Sequence, residues 1–366
     1  MNEENLKYQI ALTLIPNIGD KLIPGLISYC GGVEGVFKAG KSKLMKAPGI
    51  GEKKADSILG FDDFAKAEKE VAFIKKHKIK PTFYLDKDYP LRLKNIPDAP
   101  IMIYSLGKAD LNHDKIIGIV GTRKATKYGE AFCDELVEGL KPYNCLILSG
   151  LAYGIDSYAH KAAVKHKLPT VGVLAHGLDR IYPAAHTNLA RDMVKAGGGL
   201  LTDNLSETIP GRENFPKRNR IVAGLCDALV VVETPQKGGS MITADIANSY
   251  NREVMAYPGR VKDETSKGTN SLIKTNRAHM IEHVDDLVYL MGWDLKKITK
   301  TPQKSLAELT GTEKQLLEII QQNEGIALDE IVMKAKIPLS KISLMLLDME
   351  FKGVIKSLPG KAYMVL

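Results

Sequence analysis

The chain has 366 residues, 44% of them hydrophobic and 26% charged, a length that predicts two or three domains rather than one core. Its longest apolar runs, such as "LVVV" at 229–232, are far too short to cross a bilayer, and the start "MNEENLKYQI" has no apolar core or small-residue cleavage site of an export signal. Cys30, Cys133, Cys145 and Cys226 form no CxxC pair, which argues against a zinc site or a disulfide framework and predicts a cytoplasmic setting; the net charge of +8 permits a polyanionic partner without establishing one.

Residues 1–65 read as short helices broken by Pro and Gly, as in "LIPNIGDKLIPGLI" and "APGIGEKKADSIL". Within them "GVFKAGKS", Gly35 to Ser42, satisfies the P-loop expression. A true P-loop needs a buried strand before it and a long helix after it. Here "SYCGGVE" is no strand and "APGIG" follows too soon, so Ser42 is expected to cap a short helix instead. ATP hydrolysis is not predicted.

Residues 66–292 alternate short β-branched runs with helical patterns. The runs are "KIIGIV" (115–120), "CLILS" (145–149), "TVGVLA" (170–175), "GLLT" (199–202), "ALVVVE" (228–233) and "EVMAY" (253–257), and between them "GEAFCDELVEGL" and "IDSYAHKAAVKH" have helical spacing. Strands of this kind predict a parallel sheet covered on both faces, a Rossmann-like core in a multidomain, mainly α/β chain. Residues 293–305 are polar and basic, a linker. Residues 306–366 show three helical patterns (312–321, 327–335, 339–352) and then "GVIKSLPGKAYMVL", two strands about a Pro-Gly turn: a winged helix.

In an open parallel sheet ligands bind at the carboxyl ends of the strands. After the first core strand comes "GTRKAT", with Arg123. After the second comes "SGLAYGID", where Ser149 and Gly150 allow a close approach to an anion. "FPKRNRIVAGL" sets Lys217, Arg218 and Arg220 around Asn219 at the start of a helix, where cations oppose the helix dipole and invite an anion. "KGGSMITADIA" supplies Gly239 and Ser240 at another strand-to-helix turn. Asp156 and His160 share a helical face, but with no nucleophile or metal cluster beside them they read as structural support rather than as an acid and base. Four phosphate-suited elements on one sheet edge exceed what one nucleotide requires and suggest a threaded backbone. A rival reading remains: nucleotide-processing enzymes of Rossmann type, phosphoribohydrolases among them, use a glutamate beside a Gly-rich turn, and Glu233 precedes "TPQKGGS".

Taken together, "VGTRKATKYG", "SGLAYGIDSYAH", "LDRIYP", "FPKRNRIVAGL", "VVVETPQKGGSMITADIA" and "YPGRVKDETSKGTNSLI" resemble the DprA (Smf) DNA-processing proteins over essentially the whole chain. The resemblance implies an extended Rossmann-like domain that binds single-stranded DNA, forms homodimers and loads RecA recombinase in natural transformation. It also implies an N-terminal domain of SAM or helix-hairpin-helix type and a C-terminal winged helix. The chain is accordingly read as a non-enzymatic DNA-binding protein with no cofactor. The family's DNA contacts would fall on Arg123, the Ser149–Gly150 loop and Lys217–Arg220. Tyr153 is an additional candidate for base stacking, since single-strand binders combine cationic grooves with aromatics. The chain departs from the common family pattern near Asn276–Arg277, where a Gly is usual, and at Thr202–Asp203, where Ser-Glu is frequent. "APGIGEKKADSI" resembles a helix-hairpin-helix hairpin. The third winged-helix segment, "LSKISLMLLDMEFK", is too apolar for groove reading and points to a partner or domain contact.

Overall fold

The computed structural model describes residues 3–293 and 309–366, apart from 324 and 359. Residues 294–305 of the expected linker therefore lie outside the described residues.

The chain begins with helices α1 (Glu3–Leu14), α2 (Ile23–Cys30), α3 (Val33–Lys38), α4 (Lys41–Leu44), α5 (Glu52–Leu59) and α6 (Phe64–His77). Strand β1 (Lys80–Phe83), helix α7 (Leu91–Lys94) and strand β2 (Met102–Gly107) lead into the alternating region. That region runs β3 (Ile116–Val120), α8 (Lys127–Gly139), β4 (Leu146–Ser149), α9 (Ile155–His166), β5 (Thr170–Val173), α10 (Thr187–Lys195) and β6 (Gly199–Thr202). It continues with α11 (Asn214–Leu225), β7 (Ala228–Val231), α12 (Gly239–Ser249), β8 (Glu253–Ala256), α13 (Lys267–Lys274), β9 (His279–Met280) and α14 (Val284–Leu290). The last part comprises α15 (Gly311–Gln322), β10 (Ile326–Ala327), α16 (Leu328–Ala335), α17 (Leu339–Phe351), β11 (Ile355–Leu358) and β12 (Ala362–Val365), the helices and wing of the winged helix.

The central sheet has the order β1-β2-β6-β5-β4-β3-β7-β8-β9. From β6 to β9 all neighbours are parallel, whereas β1, β2 and β6 pair antiparallel. The six core strands carry apolar residues on both faces because helices cover both. Phe132 and Leu136 of α8 and Ile155 and Ala159 of α9 fill one side; Ile221, Val222 and Leu225 of α11 and Met241 and Ala244 of α12 fill the other. The chain moves outward from β3 to β6, then returns to place β7 on the other side of β3. That reversal opens a crevice above the ends of β3 and β7, which is where such sheets bind ligands.

Two expectations need correction. The boundary after residue 65 cuts α6, whose Ala67, Val71 and Ile74 belong to the same core as Ile10 of α1 and Met102 and Tyr104 of β2. The N-terminal helices are thus welded to the antiparallel edge of the sheet. In the P-loop lookalike, Gly40 caps α4 and Ser42 lies inside it, so the serine is no cap. No strand precedes it, as expected: α2 does, and the motif's first residues, Gly35 to Lys38, lie in α3.

Candidate nucleic-acid interface

The loops after β3, β4 and β7 and the first turns of α11 and α12 enclose an open cleft of about 370 Å³. Arg123, Asp156, Arg218, Asn219, Gly239 and Ser240 all line it. A narrower aromatic recess adjoins it and shares Arg123, Phe215 and Arg218; Tyr153 and Tyr182 line this recess.

Each wall has a local cause. The loop after β3 is tied down by Glu233, whose buried carboxylate accepts from the Thr126 N–H (2.8 Å) and hydroxyl (2.7 Å). Thr126 in turn caps α8. Arg123 is exposed and lies over the Phe215 ring, 5.0 Å from its centroid, which fixes a flexible cation at the mouth of the cleft. The Gly238–Gly239–Ser240 turn opens α12, with Gly238 as its N-cap. A Cβ at Gly239 would meet nothing within 4 Å, so the turn is open to close approach, and the Gly239 and Ser240 N–H groups have no hydrogen-bond partner among the described residues. Ser240 is 6% exposed, and its hydroxyl has no hydrogen-bond partner among the described residues. An unpaired buried hydroxyl beside free helix-terminal amides, in a cleft bearing cations, is chemistry suited to an anion.

The floor is a buried ionic arrangement. Arg218 is 7% exposed, and its Nη1 donates to the Val173 carbonyl at 3.0 Å. Burial lowers its affinity for the proton, an effect the neighbouring Asp156 carboxylate opposes. For Asp156 burial pushes the carboxyl up, while Arg218 and the Ala152 N–H pull it back. Gly150 is required here: a Cβ would fall on the Arg218 guanidinium and the Asp156 carboxylate. His160, beneath them, is fully buried; its Nε2–H donates to the Gly150 carbonyl and its Nδ1 lies 2.7 Å from the Thr170 hydroxyl. Burial pushes its imidazole down to about 4, so it is neutral at neutral pH. Asp156 and His160 are thus supports for the loop.

The structure brings most of the expected residues together, but not in the expected roles. Arg123, Arg218, Asn219, Gly239 and Ser240 share the cleft, and Lys217 is exposed on the same helix. Gly150 acts through its lack of a side chain, beneath Arg218. Ser149 is fully buried, and its hydroxyl donates to the Ile119 carbonyl at 2.5 Å, so it offers an anion nothing from its side chain. Arg220 does not line the cleft: its Nη2 donates to Asp20 (2.9 Å) and Asp203 (2.8 Å), and its Nη1 donates to the Asp98 carbonyl. Tyr153 is 51% exposed and packs edge-on against His186, with ring centroids 5.0 Å apart. The cations expected at the start of a helix lie inside the first two turns of α11, which begins at Asn214. Successive residues there point about 100° apart, which scatters a sequence cluster over three environments. Phe215 was not among the expected residues; an aromatic two positions before the cations was its only signal.

Where the chain departs from the common family pattern, the geometry accounts for the departure. Asn276 has φ +53, a left-handed conformation that asparagine tolerates and glycine would otherwise supply. The Thr202 hydroxyl donates to the His176 carbonyl at 2.9 Å, and Asp203 holds Arg220.

The family model described as "DNA recombination-mediator protein A" matches residues 80–292, and that for the DprA winged helix domain matches residues 300–361. Protein Smf of Synechocystis sp. is 31% identical over 97% of this chain and 98% of its own length. DNA processing protein DprA of Bacillus subtilis is 41% identical over 51% of this chain and 63% of its own. Among solved structures, DprA from Streptococcus pneumoniae aligns with a TM-score of 0.66 at 28% identity, over 77% of this chain and 97% of that one. A Helicobacter pylori DNA processing protein A, whose structure concerns its single-stranded DNA binding mode, aligns at 0.52 and 25% identity, over 59% of this chain and 97% of that one. With the fold, the cleft and these matches in agreement, the chain belongs to the DprA/Smf family of DNA-processing proteins.

Proposed function

We propose that this chain binds single-stranded DNA along the cleft at the carboxyl ends of β3, β4 and β7, protects it and helps load it with RecA recombinase in natural transformation and recombination. It does so as a cytoplasmic homodimer, without cofactor or covalent chemistry. The observation that carries the reading is the coincidence, in one cleft, of exposed Arg123, the free amides of α12 and the unpaired Ser240 hydroxyl above the buried Arg218. Phosphates sit against these groups and the exposed Lys217, while Tyr153 and Phe215 offer faces on which bases can stack. The single-stranded DNA binding of the Helicobacter pylori relative supports the same ligand.

The enzymatic rival draws less support. Its glutamate, Glu233, is 2% exposed and spends both carboxylate oxygens on Thr126.

The test is a gel shift with single- and double-stranded oligonucleotides across salt concentrations. With about four phosphates held, log affinity for single strands falls with log salt at a slope of roughly −3. Arg123→Ala and Lys217→Ala each make that slope shallower by about 0.7 and leave thermal unfolding unchanged. No binding at low salt overturns the reading, and release of free base from a nucleotide panel replaces it with the enzymatic one.

A further inference from the structure

We propose that Arg220, Asp203 and Asp20 form a positioning device through which the N-terminal helices set the geometry of the DNA cleft without touching DNA. The inference rests on the reading of the cleft given above.

Asn219 faces the cleft, and the next residue, Arg220, turns away from it. One guanidinium there gathers three chain segments. Its Nη2 donates to Asp20 (2.9 Å), in the connection between α1 and α2, and to Asp203 (2.8 Å), immediately after β6. Its Nη1 donates to the carbonyl of Asp98, in the segment leading to β2. The Asp98 carboxylate accepts in turn from the hydroxyl of Tyr250, the C-cap of α12. Both helices that wall the cleft, α11 and α12, are therefore anchored at the same node. The planar five-donor fork of arginine suits this task, and lysine's single ammonium does not replace it.

The node is sheltered. The Arg220 and Asp203 side chains are each 13% exposed, and Asp20 is 30% exposed. A phosphate ligand would have to displace two carboxylates from Arg220, which makes it a poor DNA contact. Asp20 lines a separate groove, outside the cleft. A second tie runs the same way: Glu70 of α6 accepts from the N–H and hydroxyl of Ser206, three residues after Asp203. The N-terminal helices thus hold the segment after β6 through Arg220 and directly from α6, at Ser206 and, by the exposed Lys69–Glu207 pair at 2.8 Å, at Glu207.

Sign separates positioning from simple electrostatics. Removing the negative charge of Asp20 makes the protein more basic, so a long-range field effect would tighten DNA binding. A positioning role weakens it. The experiment measures binding of a labelled oligothymidine by anisotropy at several salt concentrations, with thermal unfolding, for the full chain, Asp20→Asn, Arg220→Lys and Lys217→Ala. Expected are a loss of about fivefold or more in affinity for Asp20→Asn and Arg220→Lys with an unchanged salt slope, against a slope shallower by about 0.7 for Lys217→Ala. Equal or tighter binding by Asp20→Asn overturns the inference alone, as does a Lys217-like drop in slope for Arg220→Lys. A wild type that binds no single strand overturns the cleft reading and this inference with it. Should Arg220→Lys fail to fold, Asp20→Asn, at the most exposed position of the node, decides the matter.

Discussion

The molecule offers two surfaces that fold class alone would nominate for DNA: the cleft of the central sheet and helix α17 of the winged helix. They are opposites. The cleft bears an exposed cation, free amides and an unpaired hydroxyl, over a floor of buried charge. On α17, Leu344 is 70% exposed, Leu347 50% and Phe351 81%, along one stripe of the helix. Asp348, at the stripe's edge, is already paired with Lys352 at 2.6 Å. A helix that reads a duplex groove needs donors and cations where α17 presents hydrocarbon. Under the proposed reading, polar groups without partners, rather than the name of a fold, mark where a polyanion goes.

The largest expected effect tests whether the cleft floor is structure or contact. Arg218→Glu places a carboxylate beside Asp156 in a buried site, and we expect a loss of stability on the order of 3–5 kcal/mol, read as a collapse of the thermal unfolding midpoint. A fully folded variant that has lost only DNA affinity would make Arg218 a simple surface contact and narrow the contrast between floor and wall.

A smaller effect follows from His160. Its folded pKa of about 4 lies below the unfolded value, near 6.5, so the unfolded state takes up a proton that the folded state refuses. Stability is full above about pH 6.5 and declines as pH falls toward 4. His160→Gln should flatten that stretch of the stability-against-pH curve, measured by chemical denaturation at each pH. An unchanged slope would mean the floor is not the source of the acid sensitivity.

The smallest effect belongs to α17. Phe351→Ser should shift unfolding by no more than about 0.5 kcal/mol and leave single-strand affinity within experimental error, because the ring is exposed and lines neither the cleft nor its aromatic recess. A clear loss of affinity in an anisotropy titration would bring the winged helix into the DNA site and undo the comparison.

Much of this was legible in sequence for physical reasons. The six core strands announced themselves because burial on both faces demands unbroken apolar runs. The edge strands did not: β1 is "KPTF", four residues with an interior proline, and β9 is two exposed residues. The positions of the Gly238–Ser240 turn and of Arg123 at the rim were readable, since both follow core strands, at whose carboxyl ends such sheets open their crevice. The roles of Ser149 and Arg220 were not readable. Both depend on which way a side chain turns and on partners 17 to 200 positions away, such as Asp203 and Asp20 for Arg220. Lys217, Arg218 and Arg220 read as one patch in the sequence and fold into solvent, floor and node.

The shared core of α1, α6 and β2 bears on how such chains can be shuffled. A chimaera spliced near residue 65 would sever one hydrophobic interior and strand the apolar faces of Val71, Ile74 and Met102 in water. A transplant that instead carries everything through Gly107, the end of β2, keeps that interior together, but it must remake the antiparallel seam to β6, the packing of Tyr89, Leu93, Ile96 and Ile103 in the central core and the ties of Asp20 and Asp98 to Arg220. Swaps among relatives should therefore respect the hairpin of β1 and β2, and donor and recipient should match at the Tyr104–Thr202 pairing, where the seam begins.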